Sequence, residues 1–142
     1  MRWWDIEPLL TIEHDLFGKE SWSAELFWSE IARPDSRHYL VVEVNRQIIG
    51  YGGLCVYPDE AFIQTIAVDR AHQGRGIGAR LLTALLDEAE RRGRNVVMLE
   101  VRADNEVAQR LYGRFGFEAV GVRKGYYQPS NTDAFVMVRD AR

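Results

Sequence analysis

The chain has 142 residues, 46% hydrophobic and 27% charged, with a formal net charge of −3. That size and balance predict one globular domain, residues 1–142, with room for one substantial core, and the mild acidity excludes a broad nucleic-acid-binding surface. The single cysteine, Cys55, excludes an intramolecular disulfide and points to a reducing, cytoplasmic setting.

In chain order, Met1-Arg2-Trp3-Trp4-Asp5 lacks the apolar centre of a signal peptide, and no apolar run in the sequence is long enough to cross a bilayer. Asp5 to Phe17 reads as a first helix, with Asp5 as its cap, Pro8 in its first turn, and Ile6, Leu9, Leu10, Glu13, Leu16 and Phe17 on a mostly apolar face. A second helix starts at Ser23 and runs to Ala32, with Leu26, Phe27 and Ile31 inward and Pro34 beyond its end. His38–Val44 and Gln47–Val56 read as strands joined by a tight turn at Asn45-Arg46, and Glu60–Val68 as a third strand. A long helix follows to Arg92, its stripe formed by Ile77, Leu81, Leu82, Leu85 and Ala89, with Gly93 as the stop. Val96–Val101 is a buried strand, Asn105–Phe115 a short helix, and Glu118–Arg123 with Ala134–Arg139 a closing antiparallel pair. The order predicts an α/β (α+β) chain with a mixed, mostly antiparallel sheet flanked by helices.

The segment Gln73-Gly74-Arg75-Gly76-Ile77-Gly78-Ala79 stands between the third strand and the long helix. Glycines at a helix mouth leave backbone N–H groups unpaired and aimed together. With the positive end of the helix dipole they form an anion site, most often for phosphate. Arg75 adds a full charge. Gly74-x-Gly76-x-x-Ala79, with Glu100 downstream, also fits a dinucleotide fingerprint. In that fold the strand runs almost directly into the first glycine, whereas here Asp69-Arg70-Ala71-His72-Gln73 intervenes.

The alternative ligand is an acyl-coenzyme A. Ile66-Ala67-Val68, then Gln73-Gly74-Arg75-Gly76-Ile77-Gly78, resembles the signature of the GNAT superfamily of N-acetyltransferases. Leu99-Glu100-Val101-Arg102, Asn105, Ala108, Leu111-Tyr112, Phe115-Gly116-Phe117 and Tyr126-Tyr127 resemble its RimI-type branch, which acetylates the N-terminal alanine of a small-subunit ribosomal protein. The resemblance covers nearly the whole chain. It implies the acyl-CoA N-acyltransferase fold, with a first strand that is short or absent here because only Met1 to Trp4 precede the first helix. It also implies acetyl-CoA as co-substrate, the pantetheine arm lying against the backbone of Ile66, Ala67 and Val68 like an added strand, and Asn105 contacting the cofactor, while its own position also makes Asn105 a helix cap.

Glu100 is the candidate base, at the end of the apolar run Val96-Val97-Met98-Leu99; pairing with Arg102 or another cation is its plain structural alternative. Tyr112, on a helix face with Ala108, Leu111 and Phe115, is the candidate acid for the departing thiolate, or else a core aromatic. By resemblance Trp22, Tyr126 and Tyr127 line the acceptor groove. Adjacent strand residues point to opposite faces, so one tyrosine meets the substrate and the other packs. Glu60 and Asp133 offer negative charge to a basic peptide or are simply solvated.

His14, His38 and His72 share no metal-ligand spacing with one another or with Cys55, so no metal is expected. Cys55, in Gly53-Leu54-Cys55-Val56, reads as inert packing. The expected partner is a basic protein N-terminus, not nucleic acid or membrane, and the expected assembly a monomer or weak dimer. Two other functions fit the same loop: acetylation of a small-molecule amine, and non-catalytic acyl-CoA binding for regulation.

Overall fold

Asn45 and Arg46 both take positive φ, 51° and 66°. A two-residue turn of the primed type needs that pair to match the twist of its flanking strands. In the computed structural model, which describes residues 1–142, this turn joins β1 (Arg37–Val44) to β2 (Gln47–Val56). Before them lie α1 (Ile6–Phe17) and α2 (Ala24–Ile31). After them come β3 (Ala61–Val68), α3 (Ile77–Arg91), β4 (Val96–Arg102), α4 (Glu106–Arg114), β5 (Glu118–Tyr127) and β6 (Thr132–Asp140). No strand precedes α1. Trp3–Asp5 form a 3₁₀ turn instead, and the Met1 ammonium donates to the Tyr39 carbonyl at 2.8 Å.

The six strands form one sheet in the order β1-β2-β3-β4-β6-β5. Every neighbouring pair is antiparallel except β3 and β4. A parallel pair needs a long crossover, and α3 supplies it. Helices cover both faces. Leu82, Leu85, Leu86 and Ala89 of α3 pack with Ile63, Val97, Leu99, Tyr112 and others in a cluster of 13 buried residues. On the other face Ile6, Leu9 and Ile12 of α1 join Phe27, Tyr39, Tyr51 and Ala67 in a cluster of seven.

One irregularity positions everything that follows. Between β2 and β3 the register steps from Gly53↔Thr65 to Leu54↔Ile63, so Gln64 is an extra residue on β3. Such a bulge bends its strand and re-aims its side chains. Ile63 and Ile66 consequently pack toward the α3 cluster, while Ala67 packs toward α1. β3 pairs with β4 only over Ala61↔Val97, Phe62↔Met98 and Ile63↔Leu99. Beyond that point the two strands part.

Four expectations are corrected. Leu26 is 37% exposed, and the inward pair on α2 is Phe27 and Glu30; Glu30 is tolerated inside because Arg37 of β1 pairs with it. Ile77 is only half-buried at the mouth of α3, and Leu86 joins the core stripe instead. Asp5 does not cap α1: its carboxylate accepts from the Arg2 amide at 2.8 Å, closing the preceding turn. β5 extends through Tyr127, so both tyrosines lie on the strand rather than after it.

Candidate active site

Gly74 and Gly76 have φ of 79° and 80°, conformations that glycine adopts without strain. A Cβ added at either meets nothing within 4 Å. Backbone conformation, rather than crowding from the protein, therefore sets the requirement there, and the face above the loop is open. Gly78 differs. Its φ is not positive, and a Cβ there would meet the Leu111 side chain of α4 at 3.5 Å, an ordinary packing distance, so neither conformation nor crowding demands glycine at this position. Gly76 caps α3 without any side-chain hydrogen bond, which leaves the first-turn N–H groups for a ligand. The Gln73 amide donates to the Val68 carbonyl at 3.0 Å and ties the loop to the end of β3.

Where β3 and β4 separate, a cleft of about 340 Å³ passes through the sheet. Ile66, Ala67, Val68, Gln73 and Asn105 line it, as do Glu100, Tyr112, Trp22 and Tyr127. Gly74, Arg75, Gly76, Ile77, Gly78 and Ala79 lie outside its walls, and so does Tyr126. The cleft thus gathers most of the residues singled out from sequence, with the glycine loop following one of its walls in the chain.

Glu100 sits near the end of β4 with its side chain 10% exposed. One carboxylate oxygen, Oε1, accepts from Arg123 Nη1 at 2.8 Å. The other, Oε2, is buried and has no partner, an arrangement that native proteins rarely leave unexplained. The strand-end pairing of the plain structural alternative does form, with Arg123 rather than Arg102. Arg102 turns to Glu20, Asp104 and Thr132 instead.

Tyr112 is 8% exposed and packs edge-on against Phe117, ring centroids 5.9 Å apart. Burial pushes its phenol up to about 12, so it keeps its proton across the working pH range. Asn105 caps α4 by accepting from the Ala108 amide at 3.1 Å, which uses its oxygen and not its amide nitrogen. Trp22 both lines the cleft and packs on Phe27 and Tyr39, at 5.2 and 6.4 Å between centroids. Tyr127 is the tyrosine that faces the cleft; its hydroxyl reaches the Glu100 carbonyl at 3.5 Å. Tyr126 carries the Arg123 guanidinium 4.4 Å above its ring and packs edge-on against Tyr127 at 5.1 Å, its hydroxyl directed toward Glu100, so the two tyrosines do not take the opposite faces that strand alternation predicts. Asp133 is engaged by the Gly125 amide and by Lys124.

Cys55 is fully buried, with Arg37 Nη1 2.8 Å from its sulfur. No group of three or more His, Cys, Asp or Glu side chains is placed to hold a metal ion. No helix is long and apolar enough to cross a membrane.

Sequence reasoning missed two participants. Arg123 carries no local signal. Glu13 does: it is a carboxylate on an otherwise apolar helix face. It lines the cleft, is 1% exposed, and faces the buried Tyr51 hydroxyl, with no other side chain to satisfy either group. Burial pushes its carboxyl from 4.5 up to about 7, offset only in part by Tyr51 and the Trp22 backbone.

Below pH 4.5 both the folded and the unfolded chain hold the Glu13 proton. Between pH 4.5 and 7 only the folded chain does, so stability falls as pH rises and levels off above 7. At about 1.4 kcal/mol per pKa unit, the loss is about 3 kcal/mol. Glu13→Gln removes it. The unfolding free energies of variant and parent, from urea titrations, should diverge by about that amount in favour of Gln between pH 5 and 8. A difference independent of pH would contradict a buried, protonated Glu13.

The acetyltransferase (GNAT) family model matches residues 3–117. The chain is 43% identical over 142 residues to the N-alpha-acetyltransferase RimI of Mycobacterium tuberculosis, covering 96% of this chain and 87% of that protein. It is 37% identical over 116 residues to the ribosomal protein bS18-alanine N-acetyltransferase of Escherichia coli, 78% of each. A crystal structure of the Escherichia coli ribosomal-protein-alanine N-acetyltransferase superposes with a TM-score of 0.87 at 31% identity, covering 99% of this chain and 90% of that one.

Proposed function

The chain belongs to the acetyltransferase (GNAT) family, and from that premise we propose that it acetylates the N-terminal α-amine of a protein, in particular the N-terminal alanine of ribosomal protein bS18. Acetyl-CoA is the acyl donor that this family uses. Its fit rests on two features. Beyond Ile63 the edge of β3 is not paired to β4, which leaves backbone for a ligand to join as a strand would. The glycine loop and the uncapped start of α3 suit a phosphate group.

The observation that carries the catalytic reading is the buried, unpartnered Glu100 Oε2 in the same cleft as Tyr112. An α-amine has a pKa of about 8 and is neutral in roughly a tenth of molecules at pH 7, against well under a thousandth for a lysine side chain. A modest carboxylate acting directly or through water is therefore a sufficient base for an N-terminus. In this mechanism Glu100 takes the ammonium proton, the amine attacks the thioester carbonyl, and the C–S bond breaks in a single ternary complex. Tyr112 donates to the departing thiolate. Trp22 and Tyr127 bound the acceptor end.

A second reading keeps the chemistry and changes the acceptor to a small amine. It is favoured by Glu20, which bridges Arg102 and Ser130 and so joins the segment after α1 to the β5–β6 turn across the acceptor end. Thiol release from acetyl-CoA separates the two. Turnover with a free alanine peptide, absent with an N-terminally blocked, lysine-containing peptide, supports the protein substrate. Turnover confined to polyamines or other small amines overturns it.

A further inference from the structure

Glu100 is already held by a cation. Arg123 Nη1 stands 2.8 Å from its Oε1, yet the two ends of this ion pair differ. The Glu100 side chain is 10% exposed and fixed by β4, whereas the Arg123 side chain is 53% exposed and rests on Tyr126 at 4.4 Å. One end belongs to the cleft. The other is an arm on the rim with a second resting place, because a guanidinium over an aromatic face is itself a favourable contact. Such half-exposed pairs hold weakly, and the remaining carboxylate oxygen, Oε2, is buried with no ion-pair partner, the Tyr126 hydroxyl being the other polar group directed toward this carboxylate.

An acceptor amine reaches Glu100 as an ammonium, the same charge at the same carboxylate. We propose that Arg123 occupies the acceptor-ammonium subsite in the resting enzyme and yields it to the incoming N-terminus. The guanidinium stays on Tyr126 when displaced, so it remains at the rim without blocking the cleft. Arg123 is therefore a positioning residue that acts through Glu100, and it does two things. It competes with the acceptor, which sets apparent acceptor affinity. It also occupies the carboxylate when no acceptor is bound. Without it, Glu100 is free to take a proton from water as the water oxygen bonds to the thioester carbonyl carbon. The C–S bond then breaks and the thiolate is protonated, giving acetate and free coenzyme A. This inference rests on the reading of Glu100 as the base.

The test compares Arg123→Ala, Arg123→Gln and Arg123→Lys by steady-state kinetics with a free alanine peptide, and by thiol release from acetyl-CoA alone. The Ala and Gln variants should lower peptide KM about fivefold, the scale of a weak surface pair. They should change kcat less than twofold and raise peptide-independent hydrolysis at least threefold. The Lys variant restores both values. A raised peptide KM, or a fall in kcat with KM and hydrolysis unchanged, would overturn the proposal and leave Arg123 a structural residue. The same substitutions in a Glu100→Gln background should have no effect on either readout, and persistence of the effects there would also overturn it. Failure of the base reading shows separately, as undiminished turnover in Glu100→Gln alone.

Discussion

Glu100→Gln should lower kcat/KM for a free alanine N-terminus by about 10²–10³-fold while leaving coenzyme A affinity unchanged. The glutamine keeps the shape of the side chain and removes only its ability to accept a proton as a carboxylate. The site suggests a clean substitution. The side chain is 10% exposed at the end of β4, one oxygen faces Arg123, and the other is buried without a partner. The loss should depend on pH in a set direction. At pH 6.5 almost every acceptor amine is protonated and needs the base, whereas at pH 9 most are already neutral, given a pKa of about 8. The deficit is therefore largest at low pH and shrinks as pH rises. Kinetics from pH 6.5 to 9, with coenzyme A binding measured by calorimetry, check both parts. Turnover equal to that of the parent across this range would remove Glu100 from the mechanism.

Tyr112→Phe should lower kcat by about 10–100-fold, at or below the lower limit for a general acid, and leave coenzyme A affinity intact. Burial holds the phenol at about 12, while a free thiol titrates near 8.5. Full proton transfer from phenol to an ordinary thiolate is therefore uphill. Burial in an apolar cleft raises a thiolate's basicity and so would narrow that gap. Short of full transfer the phenol stabilises developing charge as a hydrogen-bond donor, which is why the expected loss is smaller than for Glu100. Phenylalanine preserves the edge-on contact with Phe117, so thermal stability should change little. Loss of coenzyme A binding, or an unchanged kcat, would contradict the acid role.

Much of this was legible because its causes are local. The Asn45-Arg46 turn, the glycines before α3, the Asn105 cap and the apolar stripe of α3 are written in consecutive residues. Glu100 and Tyr112 were nameable as candidates only through the resemblance of their motif to the GNAT family, since position alone makes them a strand-end glutamate and a core aromatic. What escaped was set by tertiary contacts. The Gln64 bulge that opens the cleft exists only in the register between β2 and β3. The insertion of β6 between β4 and β5 reverses the order that chain position suggests. Arg123 is 23 residues from the carboxylate it meets. Glu30 is buried in place of Leu26 because a strand residue, Arg37, neutralises it. Glu13 was the exception, a visible anomaly on an apolar face whose burial follows from the cluster around Tyr51 and Phe27. Strict alternation would put the two tyrosines on opposite sides, but the register of β5 breaks between Arg123 and Tyr127, and the two rings meet edge to face with centroids 5.1 Å apart.

The most direct test uses one peptide that offers both amines, a free N-terminal alanine and an internal lysine, incubated with acetyl-CoA and the enzyme. Fragment masses then locate the acetyl group. The account predicts a single acetyl group on the alanine α-amine and an unmodified lysine. An acetylated lysine, or a peptide left unmodified while small amines are acetylated, would contradict it.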